Sequence, residues 1–262
     1  MKLEIKKLTG EEMEFMLEDA DPAFANALRR VMAYEVPIMA IDEVEFLKND
    51  SVMYDEIITH RLSLIPLKTP ADGYYLPEKC SCSGKGCPSC MVTFKLSKTG
   101  PANVLSGDLE SSDEEVVPVS REIPIVKLAE GQKLEFTAIA RLGVGREHAK
   151  WQPGVVSYKY MPVIEINHKA CDACEACVSA CPQSILLIED GRLKVVDVER
   201  CTLCKACEEA CPKEAIKVGY DDTKFIFKVE STGCMPPEQI LSKALEVMEE
   251  KFREFLKHVK KL

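Results

Sequence analysis

Twelve of the thirteen cysteines in this 262-residue chain fall into three groups of four, a distribution that suits thiolate metal ligands. Cys171, Cys174, Cys177 and Cys181 are separated by two, two and three residues, and Pro182 follows the last of them. Cys201, Cys204, Cys207 and Cys211 repeat that spacing and again end on a proline, Pro212. Three cysteines at intervals of three wrap one corner of a four-iron cube on a tight loop, while the fourth begins a helical stretch and ligates the other cube. The spacing therefore predicts two [4Fe-4S] clusters. Cluster one takes Cys171, Cys174, Cys177 and Cys211; cluster two takes Cys201, Cys204, Cys207 and Cys181. Zinc on the same thiolates is the alternative, and disulfides are disfavoured by cytosolic glutathione.

A third group, Cys80, Cys82, Cys87 and Cys90, packs four thiols into eleven residues around Gly84 and Gly86. Four thiolates close a tetrahedral Zn²⁺ and leave no position for water, so a metal held here is structural. The first pair is separated by a single residue, shorter than the usual gap, so zinc and an unfilled set of thiols both stay open at this point. Cys234 stands alone and reads as a buried free thiol. His60, His148, His168 and His258 show no metal-ligand pairing. The doubled run matches that of bacterial ferredoxins, which makes a ferredoxin-fused electron-transfer protein one reading of the chain. Against a redox enzyme, no dinucleotide fingerprint is present: Gly143-Val144-Gly145 continues Arg-Glu-His. A phosphate loop and a nucleophile elbow are also absent, and no catalytic residue is assigned.

The elements that position these groups are legible in the patterning. Leu3 and Ile5, then Met13, Phe15 and Leu17, alternate with polar neighbours and predict two strands, each with one face on a core, joined by a turn at Thr9-Gly10. Asp21-Pro22 supplies an N-cap and a proline at the first helical position; Phe24, Leu28 and Val31 recur at helical spacing, and Val36-Pro37 ends the helix. From about 41 to 166 short strands dominate, marked by Val92, Phe94 and Leu96, by Leu134, Phe136, Ala138 and Ala140, and by Val156, Tyr158 and Tyr160, with one helix near 54–63. The acidic run from Asp108 to Glu115 reads as a solvated loop. Ile185 to Ile188 and Leu193 to Val196 predict a hairpin across Glu189-Asp190-Gly191. Phe225, Phe227 and Val229 predict a further strand, followed by a long helix opened by Pro236-Pro237. In that helix Leu241, Leu245, Met248, Phe252, Phe255 and Val259 step by four and three, either a seam for a partner helix or a stripe packed on the chain's own core.

The bulk numbers narrow the function. A hydrophobic content of 46% with 29% charged residues is ordinary for a soluble globular protein, and the mixture of strands and helices read above predicts the α+β class. A net charge of −9 argues against this chain gripping a nucleic-acid backbone by itself. No run of about 18 apolar residues exists, and Met1 to Ile5 lacks a signal-peptide core, so a cytoplasmic protein is expected.

Three stretches carry a family resemblance. Asn26-Ala27-Leu28-Arg29-Arg30-Val31-Met32, followed by Glu35-Val36-Pro37 and Ala40-Ile41-Asp42, resembles the dimerisation helix and strand of RNA polymerase alpha-like subunits. Residues 55–67 resemble the segment that follows, and Gly145-Arg146-Glu147-His148-Ala149-Lys150-Trp151 resembles a signature of the archaeal and eukaryotic members. The resemblance, which is to the archaeal D-type subunits, implies a split alpha-like dimerisation domain (1–43 and 222–262), a mostly β insertion domain (44–166) and an inserted ferredoxin-like domain (167–218). It implies a non-catalytic assembly platform of DNA-directed RNA polymerase. Such a platform pairs with the small alpha-like subunit L, then binds subunits N and P and the large catalytic subunits. Partner contact would fall on Phe24, Leu28 and Val31 and on Leu241, Leu245, Met248, Phe252 and Phe255. The Cys80–Cys90 loop resembles the zinc loop of the eukaryotic relative, with one gap of different length.

Overall fold

The computed structural model describes residues 1–261. Along the chain run β1 (Lys2–Leu8), β2 (Glu12–Glu18), α1 (Pro22–Tyr34), β3 (Ile38–Asn49), α2 (Asp55–Ser63), β4 (Met91–Thr99), β5 (Ala102–Leu105), β6 (Glu110–Ser111) and β7 (Pro124–Leu128). They are followed by β8 (Lys133–Gly143), β9 (Gly154–Ile166), α3 (Ala176–Ala180), β10 (Leu186–Glu189), β11 (Arg192–Val195), α4 (Ala206–Glu209), β12 (Ile216–Ser231) and α5 (Pro237–Val259). One four-stranded sheet has the order β1-β2-β12-β9 and the other β3-β8-β4-β6; β5 pairs with β7 and β10 with β11. The class is α+β. No helix among the described residues is long and apolar enough to cross a membrane.

Two compact units result. The first holds Met1–Lys7, Glu14–Asn26 and Ser157–Lys228; the second holds Leu8–Met13, Ala27–Val156 and Val229 onward. In the first unit Phe15 stacks on Phe227 at 4.8 Å, and Tyr158 meets the edge of Phe225 at 5.5 Å. In the second unit β8 lies between β3 and β4 with Val92 opposite Ala140, Phe94 opposite Ala138 and Leu96 opposite Phe136. All six are buried, as period-two alternation requires of one sheet face. Ile58 and Leu62 of α2 complete that core. Helix α1 begins as its sequence dictates: the Phe24 amide donates to Asp21 Oδ1 at 2.7 Å, and Pro22 occupies the first turn without losing a bond.

Two expectations need correction. Strand β1 forms, but every residue of it is exposed, Leu3 and Ile5 included, so it has no face on a core within this chain. The acidic run is only partly a solvated loop. Asp108 pairs with Lys98 at 2.5 Å, Glu110–Ser111 forms β6, and Asp113 accepts a hydrogen bond from the Tyr74 hydroxyl. The apolar stripe of α5, open between two readings in the sequence, is divided along its length. Pro237, Ile240, Leu241, Ala244 and Met248 are buried, whereas Phe252 and Phe255 are 67% and 68% exposed.

Candidate metal centres

The two cysteine repeats fold alike. In the first loop Ala173 and Glu175, which flank Cys174, both have left-handed backbones, with φ of 55° and 63°; in the second, Leu203 and Lys205 flank Cys204 with 58° and 61°. Such conformations cost a non-glycine residue about 1 kcal/mol or more, so their recurrence at matching places marks a demanding turn. Left-handed residues alternating with right-handed ones are the backbone pattern of the concave anion cradles found at many iron–sulfur sites. Helices α3 and α4 then start at matching places and pack on each other. After each fourth cysteine the chain repeats itself again. The Ser184 amide donates to the Cys181 carbonyl and that of Glu214 to the Cys211 carbonyl, both at 3.1 Å. Hairpin β10–β11 supplies Leu186 and Leu193 to the small core shared with Cys177, Cys201 and Cys207.

The fold brings the cysteines together across the repeat. Burial pushes the Cys177 thiol up, and the charge of Cys211, then Cys171 and Cys174, adds to it. Burial likewise pushes Cys207 up to about 11, with Cys181 and Cys201 as its charged neighbours. A narrow pocket is lined by Cys181, Cys201, Cys204 and Cys207 together with Ile164, Ile185 and Val218. Four convergent thiols in a largely apolar pocket fit a four-iron cluster. Lys159 of β9 reaches this region, donating to the Glu199 carbonyl at 2.6 Å and the Cys201 carbonyl at 3.0 Å. Sequence reasoning missed it, because one lysine in an alternating strand carries no signal of what it will reach.

The third group converges more tightly. Cys80 Sγ lies 3.5 Å from Cys87 Sγ and 3.5 Å from Cys82 Sγ; Cys90 Sγ lies 3.6 Å from Cys82 Sγ and 3.8 Å from Cys87 Sγ. All four sulfurs lie within 4.8 Å of one another. A zinc tetrahedron with bonds of about 2.3 Å has sulfur–sulfur edges of about 3.8 Å, so this donor set fits Zn²⁺ without rearrangement. Desolvation opposes ionisation of Cys82, but hydrogen bonds from Cys80, Cys90 and the Gly86 amide outweigh it and bring the thiol to about 6. Burial instead pushes Cys90 up to about 12. Cys234 is buried, its thiol against the Pro153 carbonyl, as a free thiol should be.

Comparison with known proteins reads the same segments. Residues 40–163 match the family model of the RNA polymerase Rpb3/RpoA insert domain, and residues 163–212 match that of a 4Fe-4S dicluster domain. The chain is 44% identical over 262 residues to DNA-directed RNA polymerase subunit Rpo3 of Archaeoglobus fulgidus, covering 100% of this chain and 98% of that one. Identity to the Rpo3 subunit of Methanothermobacter thermautotrophicus is 46% over 255 residues, with 96% of each chain covered. This chain belongs to the Rpo3 family of DNA-directed RNA polymerase subunits. The Rpo3 subunit of Thermococcus kodakarensis, 41% identical over 262 residues, extends the match to 100% of this chain and 99% of that relative.

Within this Rpo3-family chain the signature residues form one network. Asp42 accepts from Arg141 Nε at 2.6 Å and from Lys150 Nζ at 2.5 Å. Both cations also sit over the Trp151 ring, at 4.8 Å and 4.3 Å from its centroid. The role of His148 is structural, since its Nδ1 accepts the Lys150 amide at the start of a short helical turn. The residues expected to meet a partner are divided. Leu28, Leu241 and Met248 are buried in their own chain; Phe24 and Val31 are half-buried; Leu245, Phe252 and Phe255 are exposed.

Proposed function

We propose that this chain is the non-catalytic assembly platform of a cytoplasmic DNA-directed RNA polymerase, pairing through its two terminal segments with the small alpha-like subunit L. Subunits N and P and the large catalytic subunits then dock on the pair. The observation that carries this reading is the apolar face of α5 formed by Leu245, Phe252, Phe255, Leu256 and Val259, which lies exposed on a helix anchored through Ile240, Leu241, Ala244 and Met248. An apolar face of that kind needs a partner to leave water. The exposed β1 strand, with Leu3, Ile5 and Leu8, adds apolar surface at the sheet edge.

In the same reading residues 1–43 and 222–262 form the dimerisation domain, 44–166 the insertion domain and 167–218 the cluster module. Cys171, Cys174, Cys177 and Cys211 would hold one [4Fe-4S] cluster, Cys201, Cys204, Cys207 and Cys181 the other, and Cys80, Cys82, Cys87 and Cys90 one Zn²⁺. When bound, the cubes supply covalent cross-links to a module of roughly fifty residues whose own core is marginal. Anaerobic recovery of the tagged chain from its native cells tests the platform role. Transcription subunits in stoichiometric amounts are expected; a redox enzyme in their place would favour the ferredoxin-fused electron carrier.

A further inference from the structure

We infer that Lys159 is a positioning residue for the second cluster and makes the two halves of the cysteine repeat unequal. The inference rests on the two-cluster reading above. The halves match closely. Cys171 corresponds to Cys201, Lys169 to Glu199 and Asn167 to Asp197, and in each half the residue at the last of these places turns its side chain back to cap the loop. Asn167 Oδ1 accepts the Lys169 amide at 3.1 Å, and Asp197 Oδ1 accepts the Arg200 amide at 3.4 Å.

The difference lies outside the repeat. The Lys159 ammonium bridges the carbonyls of Glu199 and Cys201, the second of these belonging to the first ligand of cluster two. No such ammonium bridges the corresponding carbonyls of Lys169 and Cys171 among the described residues. Lys6 of β1 also reaches this turn, pairing with the Glu199 carboxylate at 3.1 Å. Two consequences follow from a fixed positive charge that grips a ligand loop. It holds the loop in the ligating shape before the cluster arrives, and it favours the more negative, reduced form of the cluster beside it. Cluster two is therefore the more firmly held, and Lys159 raises its potential.

The test uses the full-length chain, reconstituted anaerobically, as wild type, Lys159→Met, Lys159→Gln and Lys159→Arg. Iron release to a chelator and a redox titration followed by electron paramagnetic resonance are the readouts. In Lys159→Met one cluster should lose iron about tenfold faster than in wild type, the usual scale for a lost supporting contact, while the other is unchanged. Hydrogen exchange should rise in residues 197–205 and not in 167–175. Lys159→Gln keeps a donor without the charge and should move one midpoint potential to a more negative value. Lys159→Arg should restore both potential and release rate. Unchanged potentials and release in Lys159→Met, equal loss of both clusters, or failure of Lys159→Arg to restore them would overturn the inference. Wild-type protein holding only four irons would instead defeat the two-cluster reading.

Discussion

Asp42 is held between two cations, and the balance of forces on it sets a pH dependence. Burial alone would raise its carboxyl, but the hydrogen bonds from Lys150 and Arg141 prevail and hold it below the usual carboxylate range. A depressed folded value means that the stabilisation is fully present above the unfolded value of about 3.9 and is lost as pH falls through the folded one. Asp42→Asn should remove that part of the acid sensitivity. It should also destabilise the chain by roughly 3 kcal/mol near neutrality, because Lys150, only 9% exposed, loses its counter-charge. Chemical denaturation at pH 7 and pH 3 reads both effects. Beside the network, a Cβ on Gly143 would come within 2.4 Å of the Trp151 ring, so Gly143→Ala should cost about 1–3 kcal/mol by overpacking. Asp42, Lys150 and Trp151 were visible in the sequence as parts of a signature. Their mutual contact was not, because it joins segments a hundred positions apart and no local pattern encodes it.

At the scale of elements, α5 holds the clearest contrast. Leu28 of α1 and Leu241 in the first half of α5 are core residues of this chain, so Leu28→Ala should lower the stability of the isolated protein by about 2–5 kcal/mol. Phe255→Ser, at an exposed position, should change that stability by no more than about 0.5 kcal/mol. The same change should weaken pairing with the small alpha-like subunit by about 2 kcal/mol, roughly thirtyfold, as expected of a buried aromatic anchor. Thermal unfolding of the single chain and titration calorimetry of the pair separate the two effects. Periodicity revealed the helix and its apolar stripe, together with α2, the β10–β11 hairpin and the alternating strands. It could not tell which part of the stripe the chain covers itself, since a seam and a core face share the same residue types. For the same reason β1 was legible as a strand but not as an exposed one. β12 also runs unbroken from Ile216 to Ser231, through the join expected near 218–222.

At the scale of the whole molecule, the proposed reading predicts both a metal content and a partner. Anaerobically prepared protein should carry about eight irons and eight sulfides per chain, with one zinc on the Cys80–Cys90 loop. Zinc affinity should fall on acidification, because the bound thiols must be ionised. Replacing Cys174 and Cys204 with serine should unfold residues 167–218 locally while leaving the pairing surface intact, which limited proteolysis and co-purification together can establish. The cysteine spacing made the two matching loops legible at once, since each loop is local; the contacts of Lys159 were hidden because they come from a distant strand. Pairing is the central claim, and its most direct test is co-expression of this chain with the small alpha-like subunit, followed by native mass spectrometry. A heterodimer with one copy of each chain is predicted, whereas a well-behaved monomer that ignores the small subunit would contradict the platform role.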